Sequence, residues 1–428
     1  MTQYAIEAPQ KIDATVKLPA SKSISNRALI ICALAGTDND SLPQNLSDCD
    51  DTEVIVSALR NMPEIINIKA AGTAMRFMTA FLAATRSGRH LLTGTERMKH
   101  RPIKILVDAL RHLGADISYD GEEGFPPLRI TSVRNPDDKT APQLDGGYIE
   151  IAGNVSSQYI SALLMVGPVM RHGLELKLTG DIISRPYIDL TLWTMREFGA
   201  DAEWTSGDTI TVRPQPYVQR PYFIENDWSA ASYWYEMMLF TKDADAEVRL
   251  EGLMDGSKQG DSCVRYIFSL LGIKTLFESK VSGKPTTVTL RKSPHRVPRL
   301  EYDFLNCPDL AQTFVVACAI MGIPFHFKGL QTLKIKETNR IEALKTEMRK
   351  LGYVIRDING KELTWNGERC ESDPLPAIDT YEDHRMALAF APISLVRPIV
   401  INNPQVVTKS YPHYWSDLQK AGFTITTP

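Results

Sequence analysis

Apolar and polar positions along this 428-residue chain alternate between two kinds of helical segment. Segments of the first kind follow a short polar corner and consist mainly of small and apolar residues, which predicts helices that are buried on all sides. Their corners are anchored at Lys22, Thr73, Ser157, Ser229, Asp309 and Asp383. Segments of the second kind are amphipathic, and five of them end in a glycine, which predicts a helix C-cap followed by a strand. These glycines are Gly114, Gly199, Gly272, Gly352 and Gly422.

Because both kinds of segment recur, we interpret the chain as six copies of one unit with two helices and several strands. The amphipathic segment Asp48–Asn61 is the sixth of its kind and lacks the glycine. Strand-like runs fill the gaps at His90–Gly94, Leu128–Thr131, Leu174–Gly180, Thr209–Arg213, Glu247–Gly252, Thr286–Arg291, Pro324–Gly329 and Ile399–Asn402. The pattern predicts an α/β fold in which buried helices are surrounded by sheets.

The first unit is shorter than the others. Its anchor Lys22 lies 51 residues before Thr73, whereas the later anchors are 72 to 84 residues apart. This spacing predicts that strands between Asn61 and Lys69 are trimmed.

The repeats also predict two similar domains of three units each. The first three units form a domain of residues 21–225. An N-terminal strand, residues 1–20, joins residues 226–428 in the other domain. The two crossovers, near Ala20 and Glu225, are expected to act as a hinge.

Composition and charge narrow the function classes. Hydrophobic residues make up 43% of the chain, charged residues 23%, and the net charge is −3, which disfavours nucleic acid or a membrane surface as a partner. A signal-peptide pattern and a run long enough to span a bilayer are both missing, so we expect a cytoplasmic protein. The six cysteines are scattered without a CxxC pair, which favours reduced thiols over a disulfide framework or a zinc site.

The stretch Leu18–Leu29 carries the clearest chemical signal. An apolar run ends at Pro19, hydroxyl residues follow, and a helix-forming run extends from Ala28 to Ala35. Such a corner directs free backbone N–H groups and the positive end of a helix dipole at one point, which favours an anion. Lys22 and Arg27 add two cations. Taken alone, the same pattern is more typical of a capped helix with solvated charges.

Further corners of the repeat are also basic or rich in hydroxyl groups, and several basic corners in one repeat fold favour a binding site for polyanions. They are Gly72–Arg76, Arg97 with Arg101, Ser156–Gln158, Ser184–Tyr187, Leu333–Arg340, Asp383–Arg385 and Thr408–Ser410. Each corner by itself is more typical of a solvated surface or a helix cap.

Several of these motifs resemble, in order along the chain, those of the 5-enolpyruvylshikimate-3-phosphate synthase family. Leu18–Leu29 and Ala71–Arg76 look like its two signatures. Further similar motifs are Arg97–Ile103, Ser156–Gln158, Lys336–Arg340 and Asp383–Met386. The resemblance covers essentially the whole chain.

The resemblance implies a fold and a reaction. Members fold as an inside-out α/β barrel of two globular domains that close over the substrates. The 5-hydroxyl group of shikimate 3-phosphate attacks phosphoenolpyruvate, a tetrahedral intermediate forms, and phosphate leaves, on the route to chorismate and the aromatic amino acids. The family requires no metal and no organic cofactor, and its members are targets of the inhibitor glyphosate. We also expect a monomer.

The resemblance further implies roles for individual residues. Shikimate 3-phosphate is expected on Lys22, Ser23, Arg27, Ser156, Ser157, Gln158, Ser184, Tyr187, Asp309 and Lys336. Phosphoenolpyruvate is expected on Lys22, Gly72, Arg101, Gln158, Arg340, Arg385 and Lys409. The catalytic set comprises Asp309, Glu337, Lys22, His384 and Lys409. Within it, Asp309 is the preferred base for the 5-hydroxyl proton and Glu337 the preferred acid for the methylene carbon, and the two roles reverse when phosphate is eliminated.

The chain departs from the family pattern at four positions that carry uncharged residues in this sequence. Ala70 and Phe77 stand where Asn and Pro are usual, Thr332 occupies a position where Asn commonly touches the shikimate ring, and Asn339 replaces an Asp. Phe77 follows Thr73 and Arg76 in the same predicted helix, and its bulk is expected to shift Gly72. We therefore expect altered sensitivity to glyphosate.

Two other functions are weighed. A catalytically impaired relative that binds anionic metabolites is compatible with the short first unit. The sister enzyme acting on UDP-N-acetylglucosamine uses a reactive cysteine on a loop near the middle of its second domain and has Lys-Asn where this chain has Lys22-Ser23. The absence of cysteine between Cys49 and Cys263 disfavours that enzyme.

Overall fold

A computed structural model describes residues 2–36, 42–85, 87–132, 143–279 and 281–427. Its chain forms two compact units. Unit 1 comprises Met1–Ala20 with Glu225–Pro428, and unit 2 comprises Ser21–Ile224. None of the described helices is both long and apolar enough to cross a membrane.

The helices are numbered in chain order. They are α1 Lys22–Leu34, α2 Asp50–Asn61, α3 Gly72–Ala84, α4 Glu96–Lys99, α5 Lys104–His112, α6 Ser157–Val166, α7 Arg185–Glu197, α8 Trp228–Phe240, α9 Val264–Leu270, α10 Ala311–Ile320, α11 Arg340–Lys350, α12 His384–Phe390 and α13 Tyr414–Lys420. Short 3₁₀ helices include Gly260–Cys263, Pro308–Leu310, Gln331–Ile335 and Pro404–Lys409.

The strands are numbered in the same way. They are β1 Gln3–Glu7, β2 Asp13–Lys17, β3 Ile65–Asn67, β4 Gly88–Thr93, β5 Asp116–Tyr119, β6 Leu128–Ser132, β7 Gly147–Ala152, β8 Leu174–Thr179, β9 Ala202–Trp204, β10 Thr209–Val212, β11 Glu247–Met254, β12 Ile273–Phe277, β13 Pro285–Lys292, β14 Leu300–Asp303, β15 Phe325–Lys328, β16 Arg356–Ile358, β17 Glu362–Trp365, β18 Ala377–Ile378, β19 Ile399–Asn402 and β20 Thr424–Thr426.

Within the described residues these strands form five four-stranded sheets of one design, which makes the repeat visible. In each sheet two neighbouring strands are parallel and the remaining pairings are antiparallel, as in β7–β8–β10–β9. The others have the orders β3–β4–β6–β5, β12–β13–β11–β2, β14–β15–β17–β16 and β18–β19–β1–β20. The α/β repeat predicted from the sequence is therefore confirmed.

Unit 1 contains three of these sheets around the buried helices α8, α10 and α12. Its N-terminal strands complete two of the sheets, since β1 lies between β19 and β20 and β2 pairs in parallel with β11. Helix α10 has nine buried residues of ten, in accord with its uniformly small and apolar sequence.

Unit 2 contains two sheets around the buried helices α1, α3 and α6. The short first repeat has no four-stranded sheet within the described residues. A single bridge between Gln44 and Phe223 stands in its place, supported by Asn45, whose Nδ2 donates to the Ile224 carbonyl at 2.7 Å.

The predicted ends of the amphipathic helices are confirmed. All five glycines at these ends have positive φ, between 83° and 104°, a region that glycine adopts without a Cβ penalty. The start of α1 was predicted wrongly, because the helix begins at Lys22 and not near Ala28. Serines disfavour a helix locally, but residues 24–32 are all buried and tertiary packing outweighs that preference.

Candidate active site

In unit 1, one arginine joins three carboxylates. Arg340, the first residue of α11, is 1% exposed. Its Nε donates to Asp383 Oδ2 at 2.7 Å, Nη1 to Asp309 Oδ1 at 2.9 Å, and Nη2 to Glu337 Oε2 at 2.8 Å. The preceding Asn339 accepts from the Glu342 N–H at 3.4 Å, so this departure from the family pattern retains the cap of α11.

Asp309 is held by two further cations. Lys336 Nζ lies 3.3 Å from its Oδ1, and Arg385 Nη2 lies 3.1 Å from its Oδ2. Burial raises the pKa of the Asp309 carboxyl, but the opposing effects of Arg385, Lys336 and Arg340 are larger together, and the pKa lies well below the usual range. Asp309 is thus a carboxylate at neutral pH and can accept a hydrogen bond from a hydroxyl group.

A strained turn positions the next part of this cluster. Tyr381 and Glu382 have φ values of 53° and 56°, and Asp383 then begins α12 by accepting from the Arg385 N–H at 3.0 Å. The His384 ring is buried, with Nδ1 3.7 Å from Asp383 Oδ1. Lys409 Nζ donates to the Glu382 carbonyl at 3.3 Å. The structure therefore brings together the predicted residues Asp309, Lys336, Glu337, Arg340, His384, Arg385 and Lys409 by way of this turn and Asp383.

Asp261 is a further carboxyl of this region that the sequence analysis missed. Ser229, at the start of α8, donates a hydrogen bond to Asp261. Burial raises the Asp261 pKa to about 6, against the opposing effect of Arg385. Its distance of 48 residues from Asp309 along the chain gives no signal that the two carboxyl groups influence each other.

In unit 2, the corner at the start of α1 carries an ion pair. Lys22 Nζ lies 3.1 Å from Asp51 Oδ2, so a carboxylate from α2 holds in place the cation that is predicted to bind substrate. Ser23 Oγ lies 3.2 Å from Ser21 Oγ. Asp51 was also missed, because an acidic residue in the first turn of a helix is ordinarily explained by the helix dipole.

Arg27 is buried and surrounded by neutral oxygens. It donates to Thr191 Oγ1 at 2.7 Å, to the Ser23 carbonyl at 2.9 Å, to Ser161 Oγ at 3.1 Å and to the Tyr187 carbonyl at 3.3 Å. Burial lowers its pKa to about 10. These bonds occupy most of the guanidinium donors. The geometry therefore favours a supporting role, in which Arg27 holds the backbone of Ser23 and Tyr187 in place and contributes a nearby positive charge.

Helix α3 begins with Gly72, and the neighbouring Arg101 explains why this residue is a glycine. A Cβ on Gly72 would lie 2.5 Å from Arg101 Nη1, so only glycine lets this guanidinium lie against the backbone. Gln158 Nε2 donates to Thr73 Oγ1 at 3.0 Å, and Ser156 Oγ accepts from the Gln158 N–H at 3.4 Å.

Three further positions of unit 2 were named in the sequence analysis. Ser184 precedes α7 in a left-handed conformation, with φ 55°. Phe77 is fully buried, with the Arg27 Cζ atom 5.4 Å from its ring centre. The predicted residue Ser157 begins α6 and is half-buried.

Each unit thus contains cations and hydroxyl groups of the kind that bind anions, and unit 1 also contains a cluster of carboxyl groups. Within the described ranges, no group of three or more His, Cys, Asp or Glu side chains is arranged to hold a metal ion. The polar groups described above are cations, hydroxyl groups, an imidazole and carboxyl groups.

Comparison with known proteins identifies the family. The model of the family described as EPSP synthase (3-phosphoshikimate 1-carboxyvinyltransferase) matches residues 6–68 and 61–418. A protein of that enzyme name from Bacteroides fragilis is 56% identical over 424 residues, covering 99% of this chain and 98% of the relative. Another, from Idiomarina loihiensis, is 34% identical over 449 residues, covering 97% and 98%.

Solved structures support the fold. An EPSP synthase from Acinetobacter baumannii superposes with a TM-score of 0.76 at 19% identity, with complete coverage of both chains. The enolpyruvyl transferase NikO from Streptomyces tendae gives a TM-score of 0.69 at 16% identity, covering 100% of this chain and 99% of the other. These identities establish architecture alone, whereas the family match and the close relatives extend over nearly the whole sequence. The chain belongs to the EPSP synthase family.

Proposed function

We propose that this chain transfers the enolpyruvyl group of phosphoenolpyruvate to the 5-hydroxyl group of shikimate 3-phosphate and releases inorganic phosphate. The observation that supports this most is the cluster of Asp309, Glu337 and Asp383 on Arg340, with Lys336 and Arg385 beside it. It combines carboxyl groups for proton transfer with cations for charged substrates, and it lies at the motifs that resemble those of the family.

The substrates dictate the binding groups. Both are polyanions, so charge-assisted hydrogen bonds from Lys, Arg and hydroxyl groups provide affinity. We assign shikimate 3-phosphate to Lys22, Ser23, Arg27, Ser156, Ser157, Gln158, Ser184, Tyr187, Asp309 and Lys336. We assign phosphoenolpyruvate to Lys22, Gly72, Arg101, Gln158, Arg340, Arg385 and Lys409. Of these residues, Arg27 is expected to act on shikimate 3-phosphate through its charge and without direct contact, because most of its donors are already bonded within unit 2.

The proposed chemistry has two stages. As the 5-hydroxyl oxygen adds to C2 of phosphoenolpyruvate, Asp309 accepts the hydroxyl proton and Glu337 gives a proton to C3, which becomes a methyl group. In the second stage the two roles reverse: Glu337 takes a proton from the methyl group, the C2–C3 double bond forms again, and Asp309 gives its proton to the phosphate that leaves. Lys22, His384 and Lys409 complete the proposed catalytic set, with Lys22 and Lys409 offsetting negative charge that develops on the substrates.

Organisation and setting are proposals of the same kind. We propose two domains, residues 1–20 with 226–428 and residues 21–225, which differ from unit 1 and unit 2 only in the placement of Glu225, and we propose a monomer. All six cysteines lie in the described part of the chain and none forms a disulfide, which supports a reducing compartment such as the cytoplasm. Size-exclusion chromatography with light scattering tests the monomer.

The decisive experiment measures phosphate released by the purified chain when both substrates are present, with each substrate alone as the control. Release that requires both substrates is the expected result. Absence of release while shikimate 3-phosphate still binds in calorimetry would contradict the proposal and favour a catalytically impaired relative. Release of phosphate only when UDP-N-acetylglucosamine replaces shikimate 3-phosphate would favour the sister enzyme.

The two carboxyl roles are separated by deuterium uptake. In D₂O with both substrates, we expect the Glu337→Gln variant to lose incorporation of deuterium at C3 of phosphoenolpyruvate along with turnover. Asp309→Asn is the matched variant, because it also replaces one carboxylate on Arg340 with an amide. Undiminished deuterium uptake in Glu337→Gln would move the acid role away from Glu337.

A further inference from the structure

One buried tyrosine beside the proposed phosphoenolpyruvate ligands has no role in the proposed chemistry. Tyr159 follows Gln158 in the first turn of α6 and is 6% exposed. Its hydroxyl group donates to the Pro102 carbonyl at 2.5 Å, although the two residues are 57 positions apart. Pro102 directly follows Arg101, so this bond holds the backbone from which the Arg101 side chain extends.

The Pro102 carbonyl belongs to a network that joins three segments of unit 2. It also accepts from Arg76 Nη2 at 3.3 Å, and Arg76 Nη1 donates to the Gly72 carbonyl at 2.9 Å. The Arg76 Cζ atom lies 5.7 Å from the centre of the Tyr159 ring, within the range of a cation–π contact. Tyr159 therefore contacts this network in two places, at Pro102 through its hydroxyl group and at Arg76 through its ring.

The network surrounds a place where two cations approach one helix N-terminus. A Cβ on Gly72 would lie 2.5 Å from Arg101 Nη1 and 2.9 Å from Arg76 Nη1, so both guanidinium groups lie close to the first residue of α3. The two cations repel each other and the positive end of the helix dipole, and a bound anion offsets this repulsion. Until an anion binds, the hydrogen bonds to the Pro102 and Gly72 carbonyls oppose the separation of the two arginines.

We propose that Tyr159 is a positioning residue for phosphoenolpyruvate, which keeps Arg101 against Gly72 through the Pro102 carbonyl. The inference rests on the proposed function, because Gly72 and Arg101 are taken there as ligands of this substrate. The network contains none of the groups proposed to transfer protons. Loss of the Tyr159 hydroxyl group should therefore weaken phosphoenolpyruvate binding and leave kcat largely unchanged.

Tyr159→Phe tests the inference, because it removes the hydroxyl group and keeps the ring beside Arg76. Phosphate release is measured with each substrate varied in turn. Loss of one hydrogen bond changes an equilibrium by about three- to tenfold, so we expect the KM for phosphoenolpyruvate to rise by that factor. We expect kcat and the KM for shikimate 3-phosphate to change by less than about twofold.

Tyr217→Phe is the matched control. Tyr217 also lies in unit 2 and is 6% exposed, and its hydroxyl group likewise donates to a backbone carbonyl, that of Met165 at 2.8 Å. This variant should lose a similar amount of stability in urea unfolding and leave both KM values unchanged. Equal increases in the two KM values of Tyr159→Phe, an unchanged KM for phosphoenolpyruvate, or the same increase in Tyr217→Phe would overturn the inference.

Failure of the proposed function is distinguished by the parent chain, which would then release no phosphate. In that case calorimetric titration with phosphoenolpyruvate, in the presence of shikimate 3-phosphate, decides the inference without turnover. We expect the Kd for phosphoenolpyruvate to be about three- to tenfold higher in Tyr159→Phe than in the parent and in Tyr217→Phe. Equal Kd values in the three chains, or no binding to the parent, would contradict the inference.

Discussion

Replacing Glu236 with methionine should stabilise unit 1. Glu236 lies within α8 and is completely buried, and neither of its carboxyl oxygens has a hydrogen-bond partner among the described residues. The titratable groups that face it from other helices are Cys318 of α10 and Tyr414 of α13. Burial raises the pKa of the Glu236 carboxyl well above its usual value, so the folded chain keeps this residue neutral.

The magnitude has two parts. A buried carboxylic acid without a partner costs about 1–3 kcal/mol, and methionine of similar length removes that cost. The second part depends on pH. Above about 4.5, the ordinary pKa of a glutamate, the unfolded chain releases the Glu236 proton and the folded chain retains it. The parent therefore loses about 1.4 kcal/mol of stability per pH unit until the raised pKa of the folded state is reached.

Urea unfolding at pH 5, 6, 7 and 8 measures this difference. Trp228 and Trp234 lie in the same helix as Glu236, so tryptophan fluorescence reports on its surroundings. We expect Glu236→Met to be about 2 kcal/mol more stable than the parent at pH 5, with a gain that grows at each higher pH.

A matched control separates burial from titration. Gln312 of α10 is 1% exposed, and both of its amide atoms lack a partner among the described residues, but it does not titrate. Gln312→Met should therefore give a gain that is the same at every pH. A pH-independent gain in Glu236→Met, or a parent more stable than that variant at pH 8, would refute the reasoning.

Three other perturbations test separate contacts. Burial raises the Glu225 pKa to about 7 despite hydrogen bonds from Ser257 and Gln259, so stability should fall by about 3 kcal/mol between pH 4.5 and 7, and pH-dependent urea unfolding of Glu225→Gln should lack that fall. Asp383→Ala leaves Arg340 without the two hydrogen bonds, of 2.7 and 3.2 Å, that the Asp383 carboxylate accepts, and we expect a loss of about 3–5 kcal/mol in urea unfolding, whereas Asp51→Ala on the more exposed Lys22 should lose less. Finally, Phe77 should alter inhibition by glyphosate, and an inhibition curve equal to that of a typical sensitive family member would contradict this expectation.

Local patterns were sufficient for much of the fold. The five glycines that end amphipathic helices, and the small, apolar composition of α10, are properties of short segments and predict the helix ends and the buried helices directly. The N-terminus of α1 could not be predicted in this way. Its serines are unfavourable in isolation, and the packing that stabilises them comes from distant parts of unit 2.

The candidate site shows the same difference between features set by short segments and features set by the folded chain. Motifs predict which residues are charged, because the charges lie in short, ordered runs such as Lys336–Arg340. Pairing is a property of the folded chain: Arg340 meets Asp383 across 43 positions and Lys22 meets Asp51 across 29, and no local pattern specifies either partner. For the same reason the sequence predicted Arg27 as a direct ligand, whereas its bonds to Ser161 and Thr191 favour a supporting role.

These contacts also connect substrate binding to the basicity of Asp309. With Arg385, Lys336 and Arg340 all turned toward it, Asp309 has a lowered pKa and is a weak base. An anionic substrate that takes hydrogen bonds from these cations offsets their charge, so the Asp309 pKa must rise as the substrate binds. The base proposed for the reaction is therefore strengthened by the ligand on which it acts. Accordingly, the acidic limb of the pH profile for kcat should lie at higher pH than the limb for kcat/KM, since the former reports the substrate complex and the latter the free enzyme.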